Sequence, residues 1–419
     1  MTLKNLSRSL ALAVGLVAGL TAGAAHAQQK LTLLTWNAPQ NEPMFRSWIE
    51  SFKEDHPNVS VEWLDKTGAD WATFYQAQLV AGTPPDIINV QGTLWAEYAA
   101  NDYIVDLTPY LEKEPEVRDR FSEQMLDYWT LDGRVYGLPY YVNKSLLYYN
   151  KLLFEKAGIQ RPPETVDELL AQAEKIAALG EETTGFVTLN FDWLYWPLFA
   201  AQGVEMFSPD MSEAAFNTPE AVEVLTRLAE ATKSGAINSI SWTGRWREPN
   251  GAFASGTVGM YHAHGGAYYN FRSMGDWINE ETVGATEFPG GLGVFNSHGF
   301  AISKATDHPD LAWEFVKHIT SEKWAMETAR RITRTVGQPD IDEALLDELE
   351  QSDPIGFDVM QAQRSSLDQL TATWNSPLDA KIKNAFWPEI QSALLGQKEP
   401  QAALDQAERQ VNRVLRRGR

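Results

Sequence analysis

From residue 31 the chain alternates short β-rich apolar runs with stretches whose apolar residues fall three and four apart. LTLLTW (31–36), VSVEWL (59–64) and PPDIINV (84–90) have the length and side-chain types of strands. Between them, NEPMFRSWIESFKEDHP (41–57) and DWATFYQAQLVAG (70–82) carry helical spacing, the first stopped by Pro57 and the second by Gly82. This β-α-β-α-β order predicts a mostly parallel sheet covered by helices.

A fresh start follows near residue 140. SLLYYN (145–150) predicts a strand and KLLFEKAG (151–158) a helix directly after it. PPETVDELLAQAEKIAALG (162–180) adds a helix with proline at its start and glycine at its stop. A strand at 257–263 leads into a turn at Gly265-Gly266. GFAISK (299–304) then precedes the long helical stretch HPDLAWEFVKHITSEKWAMETARR (308–331), and the chain reads as helical from Ile341 onward. There is no repeat and no low-complexity linker. The 419 residues exceed what one core normally supports, so two lobes are expected, joined by a chain that crosses between them several times.

Residues 1–27 stand outside this pattern. Lys4 and Arg8, the apolar run 10–20 and Ala25-His26-Ala27 form the three-part layout of a cleaved secretory signal. The run is shorter than the roughly 20 residues a membrane span needs. A mature chain beginning near Gln28 is expected. The chain has no Cys, hence no disulfide framework and no lipid-carrying Cys of a bacterial lipoprotein, and the periplasm of a Gram-negative cell is the expected compartment. The 35 Lys and Arg stand against 56 Asp and Glu, and two of those cations belong to the leader. Such an excess of acids argues against nucleic acid and anionic lipid surfaces as partners.

Catalytic chemistry has no clear carrier. GxSxG, P-loop and HExxH phrases are missing, as is any Cys nucleophile. A glycosidase pair needs two carboxylates about 5 to 10 Å apart, and no pattern singles out such a pair among the acids. His262 and His264 alternate onto one strand face, but two histidines do not complete a metal site. The expectation is a protein that is not an enzyme and needs neither cofactor nor metal.

Eight phrases, FKEDHPNVSVEW, LVAGTPPDII, DGRVYGLPYY, LLYYNKLLFEKAGIQRPPETVDELL, YWPLFAAQG, FNTPEAVEVLTRLAE, AFASGTVGMY and DLAWEFVKHITSEK, cover nearly the whole mature chain. In this order they resemble the extracellular solute-binding proteins of ABC transporters, in the sugar-binding branch similar to maltose-binding protein. The resemblance implies an α/β, two-lobed periplasmic binding protein fold, each lobe a mostly parallel sheet flanked by helices, with a ligand cleft at the hinge. It places PYYVN (139–143) at the first crossing, with further crossings near 295–298 and 334–338. The implied lobes are 28–141 with 297–334 and 142–296 with 335–419. The implied role is a monomer that closes on a mono- or oligosaccharide and delivers it to membrane permease subunits. The alternative cargo is a glycerol-phosphate diester, a sugar acid or another small polar metabolite.

Within that frame several residues are candidates for ligand contact. Trp36 and Asn37 follow the first strand, where a flat ring suits a sugar face and an amide suits a hydroxyl. Gln91, Gly92 and Thr93 match the family's contact loop, and Tyr141 and Asn143 lie on the first crossing. Alignment on YWPLFAAQG puts Trp193 where the family places a stacking aromatic, with Asp192 beside it as an acceptor. His264, Gly265 and Gly266 replace a family phrase that ends in Trp; the glycines admit close backbone approach and also suit a carboxylate or phosphate. Trp242, Arg245 and Trp246 are possible substitutes for the lost ring. His298 at the second crossing and Trp374 complete the set. Arg330, Arg331 and Arg334 either face an anionic sugar or form the ordinary basic end of a helix.

Overall fold

A computed structural model of the chain describes residues 29–36, 41–92, 94–244, 246–291, 295–332, 334–365 and 376–418. Residues 1–27, where a leader is expected, and Asn37, Thr93, Arg245 and Trp374 lie outside the described residues. Ten strands are present there: β1 Gln29–Trp36, β2 Val59–Lys66, β3 Ile87–Gln91, β4 Thr130–Leu131, β5 Arg134–Val135, β6 Leu138–Asn150, β7 Thr184–Val187, β8 Val258–His264, β9 Val283–Glu287 and β10 Phe295–Ile302.

Eight of these strands form one sheet in the order β2-β1-β3-β10-β6-β8-β7, with β9 also on β6; β4 and β5 make a separate hairpin. The outer pairs β1–β2, β1–β3 and β7–β8 are parallel. The strands between them run antiparallel, β10 against β3 and β6, and β6 against β8 and β9. β6 therefore belongs to both halves: residues 138–144 pair with β10, and residues 145–150 pair with β8 and β9. The Val142 N–H donates to the Thr335 carbonyl at 2.8 Å, which lays a third passage of chain beside β6 and β10.

Each half has its own core. On one side Leu31, Leu33, Phe45, Trp48 and Phe52 pack with Phe300, Trp313 and Phe315. On the other, Leu169, Ile176, Phe186, Leu225 and Met260 pack with Phe386, Ile390 and Val411 from the final helices. Helix starts are set locally. Asn150 ends β6 and its side chain accepts from the N–H groups of Leu152 and Leu153 at 3.0 and 3.1 Å, which begins the helix Lys151–Lys156 without a loop.

The strand expected at 145–150 is longer than its apolar run suggests, because LPYYVNK finds a second partner in β10 and continues the same extended backbone. The strand expected at 299–304 occupies Phe295–Ile302. β7 and β9 are too short to stand out as sequence patterns and exist through their pairing with β8 and β6. The stretch 308–331 folds as two helices, Pro309–Ile319 and Glu322–Ile332. At their junction the Thr320 hydroxyl donates back to the Val316 carbonyl at 2.9 Å, a competitor to helix continuation.

Candidate functional site

Residues two apart on a strand share a face, and residues directly opposed on neighbouring strands share it too. On β6 this puts Tyr141, Asn143 and Ser145 on one face. The register sets His298 opposite Tyr141 and Gln91, Asn296 opposite Asn143, and His264 opposite Ser145. A polar band thus crosses the sheet where its two halves join. Asn143, Ser145, His264 and His298 are each at most 5 % exposed.

Aromatic rings border the band at both ends. On the N-terminal side Tyr141 stacks on His298 at 4.5 Å between centroids, and Trp36 leans on the same imidazole at 5.3 Å. On the C-terminal side Trp193 and Trp246 lie 6.0 and 5.1 Å from the His264 ring, with Phe191 packed on both indoles. The Arg334 guanidinium lies over the Tyr141 ring at 4.8 Å. The same group sits against Gly266, where a Cβ would come within 2.0 Å of Nη2; a Cβ on Gly265 would come within 2.3 Å of the Gln363 amide. Glycine at both positions is what lets these side chains reach the turn.

Several polar atoms in this band are buried and have no protein partner: Trp36 Nε1, Asn143 Oδ1, Ser145 Oγ, His264 Nδ1, His298 Nδ1 and Arg334 Nε. Buried polar groups are ordinarily hydrogen-bonded, and each unpaired one carries a desolvation cost of about 1–3 kcal/mol. Trp36 Nε1 and Arg334 Nε only donate, Asn143 Oδ1 only accepts, and the imidazole and hydroxyl atoms take either role. Both imidazoles are held neutral. Burial pulls His298 down to about 3 and the Arg334 charge pushes the same way. Burial takes His264 well below its ordinary value, helped by the charge of Arg334.

Other expected residues have different surroundings. Gln91 ends β3 beside His298, and Gly92 follows with φ 57° next to the Asn296 amide. The Asp192 carboxylate is bonded to Lys383 Nζ at 3.0 Å, and the same ammonium binds Asp379 at 2.7 Å. Trp242 is fully buried and donates to the Thr232 hydroxyl, so it belongs to the core. His262 stacks on Phe288 at 3.8 Å away from the band. Of the three arginines, Arg330 pairs with Glu348 and Arg331 reaches Asn41, while only Arg334 enters the band. Ser145, Asn296 and Gln363 were not singled out in the sequence; the polar interruption of an apolar strand at 143 and 145 was the available signal. Among the described residues no cluster of three metal-ligating side chains occurs, and no helix is long and apolar enough to cross a membrane. Two surface hollows, about 350 Å³ beside Tyr149 and Arg161 and about 310 Å³ beside Met44 and Trp324, share none of the band's residues.

A band of under-partnered polar atoms thus lies where the two sheet halves join. Residues 33–326 match the family model of the bacterial extracellular solute-binding proteins, and the chain belongs to that family. It is the substrate-binding component of an ABC transporter, with the two-lobed fold of the sugar-binding members. A binding protein of Brucella abortus (strain 2308) is 26 % identical, over 96 % of this chain and 98 % of the relative. The sn-glycerol-3-phosphate-binding periplasmic protein of Agrobacterium fabrum is also 26 % identical, over 71 % of this chain and 69 % of the relative. Among solved structures, an ABC transporter solute-binding protein from Thermotoga lettingae bound with α-D-tagatose superposes with a TM-score of 0.80. It is 22 % identical and covers 92 % of this chain and all of that one.

Proposed function

We propose that this protein is a periplasmic receptor that closes on a mono- or oligosaccharide and hands it to the membrane permease of its importer. The observation that carries the reading is the set of buried, unpartnered atoms on Trp36, Asn143, Ser145, His264 and His298, bordered by Tyr141, Trp193 and Trp246. A sugar offers hydroxyls that donate and accept together, and apolar ring faces that suit aromatic walls. Such a ligand would stabilise the closed arrangement by its contacts to both halves. The lobes proposed are 28–141 with 297–334 and 142–296 with 335–419, with β6, β10 and the passage through Thr335 as the hinge. The protein acts as a monomer without cofactor or catalysis, and the leader 1–27 supports delivery to the periplasm.

A thermal-shift screen of neutral and acidic mono- and oligosaccharides tests this reading. A true ligand at 100 times its Kd adds about 2.7 kcal/mol to stability. Small-angle scattering is expected to show compaction with the same compound, and Asn143→Ala to weaken its binding at least tenfold. Silence across the panel, or turnover of a glycoside, sinks the proposal.

A further inference from the structure

Resting on the carbohydrate-receptor reading, we infer that the ligand carries an acidic group, a carboxylate or a phosphate, which is held by Arg334 beside the Gly265-Gly266 turn. Arg334 is half-buried, its Nε is buried without a partner, and among the described residues no carboxylate forms an ion pair with it. Among the described residues the groups set against it are neutral: the Tyr141 side chain, with which it also forms a hydrogen bond, the imidazoles of His298 and His264, and the backbone of Gly266.

Several other cations of the protein do have carboxylate partners. Arg330 has Glu348, Arg161 has Glu164 and Glu168, Arg272 has Asp353, and Lys383 has two aspartates. A chain with 56 acids leaves this one guanidinium facing the enclosed band without an anion. The surrounding chemistry suits an oxyanion rather than another hydroxyl. The planar guanidinium presents a fork that matches carboxylate and phosphate oxygens. Two unpartnered imidazole Nδ1 atoms stand nearby, on side chains 3 % and 4 % exposed, and each donates when Nδ1 carries the proton. The missing side chains at 265 and 266 make the room in which the Gln363 amide and the Arg334 guanidinium lie against the turn. Asn143 Oδ1 and the aromatic walls remain for the hydroxyls and ring of the same molecule.

The test is isothermal titration on the full-length protein, stripped of copurified ligand by unfolding and refolding. The probes are glucuronate, galacturonate, acidic oligosaccharides, glucose 6-phosphate and glycerol 3-phosphate, each beside its neutral parent. Wild type is expected to bind an acid about 100-fold more tightly than its parent, the scale set by a desolvated charge-assisted pair. In Arg334→Gln that gap is expected to close to within about threefold. Arg334→Lys keeps the charge and loses the fork, so at least about tenfold of the acid's affinity should go; it serves if the Gln variant does not fold. Carboxylates and phosphates form separate arms, and the arm that responds names the source of the anion. Equal affinity for acid and parent, or a gap that survives in Arg334→Gln, overturns the inference and leaves the receptor reading standing. Failure of every compound, neutral and acidic, overturns the receptor reading as well.

Discussion

Two cations of the protein, Lys383 and Arg334, are treated in opposite ways. Lys383 bridges Asp192 and Asp379, whose side chains are 12 % and 9 % exposed. Burial lowers its proton affinity, yet the two carboxylates outweigh that and leave the ammonium above the ordinary lysine value. Arg334 lies against neutral rings and a glycine turn, with no built-in anion among the described residues. A fold that neutralises one of these charges has the means to neutralise the other. The difference separates a cation neutralised within the fold from one that, on the proposal above, meets its anion in the ligand. It also removes Asp192 from the free acceptors, since its carboxylate is committed to Lys383.

Breaking the first site should have the largest effect. Lys383→Met strands Asp192 and Asp379 together, and denaturant unfolding is expected to show a loss of about 2–3 kcal/mol, below the full cost of a broken buried pair because the lysine is partly solvated. A loss under about 0.5 kcal/mol would mean the bridge is ornamental and the contrast with Arg334 is empty.

Acid should act next, through the band's histidines. His298 titrates near 3 in the fold and near 6.5 when unfolded. The unfolded chain therefore takes the proton first, and stability present above pH 6.5 drains as the pH falls toward 3. Between pH 6.5 and 5 this group alone accounts for about 1.6 kcal/mol. His298→Asn should flatten the stability profile over that interval; an unchanged slope would show that the imidazole is not held neutral by its surroundings.

The smallest effect on stability is expected from Arg334→Gln. It forfeits a cation–π contact worth about 0.5–2 kcal/mol but also removes an unpaired, partly desolvated charge. The net change by the same unfolding assay should stay within about 1 kcal/mol. A loss as large as that of Lys383→Met would make Arg334 a structural cation and collapse the distinction.

Much of the frame could be read from the chain alone. The β-α-β-α-β order, the caps and stops of the early helices, the entry of β6 into its helix at Asn150 and the ordered family phrases are local features. Local periodicity and capping are set by neighbours three or four residues away, so the sequence displays them directly. The two-residue alternation through Tyr141, Asn143 and Ser145 was equally visible, although Ser145 was passed over.

What joins those residues into a site was decided only by the tertiary structure. The register between β6 and β10 sets His298 against Tyr141, 157 positions earlier, and that between β6 and β8 sets His264 against Ser145. Nothing near Asp192 in the sequence announces Lys383, and nothing in the run of Arg330, Arg331 and Arg334 says which will turn inward. Pairing at such separations depends on how whole sheets and helices pack, and packing fixes which polar atoms are left without partners. The sequence by itself determined the family, the early β-α-β-α-β elements and the polar interruption of β6; the three-dimensional fold alone decided which charge was neutralised and which was left without a carboxylate.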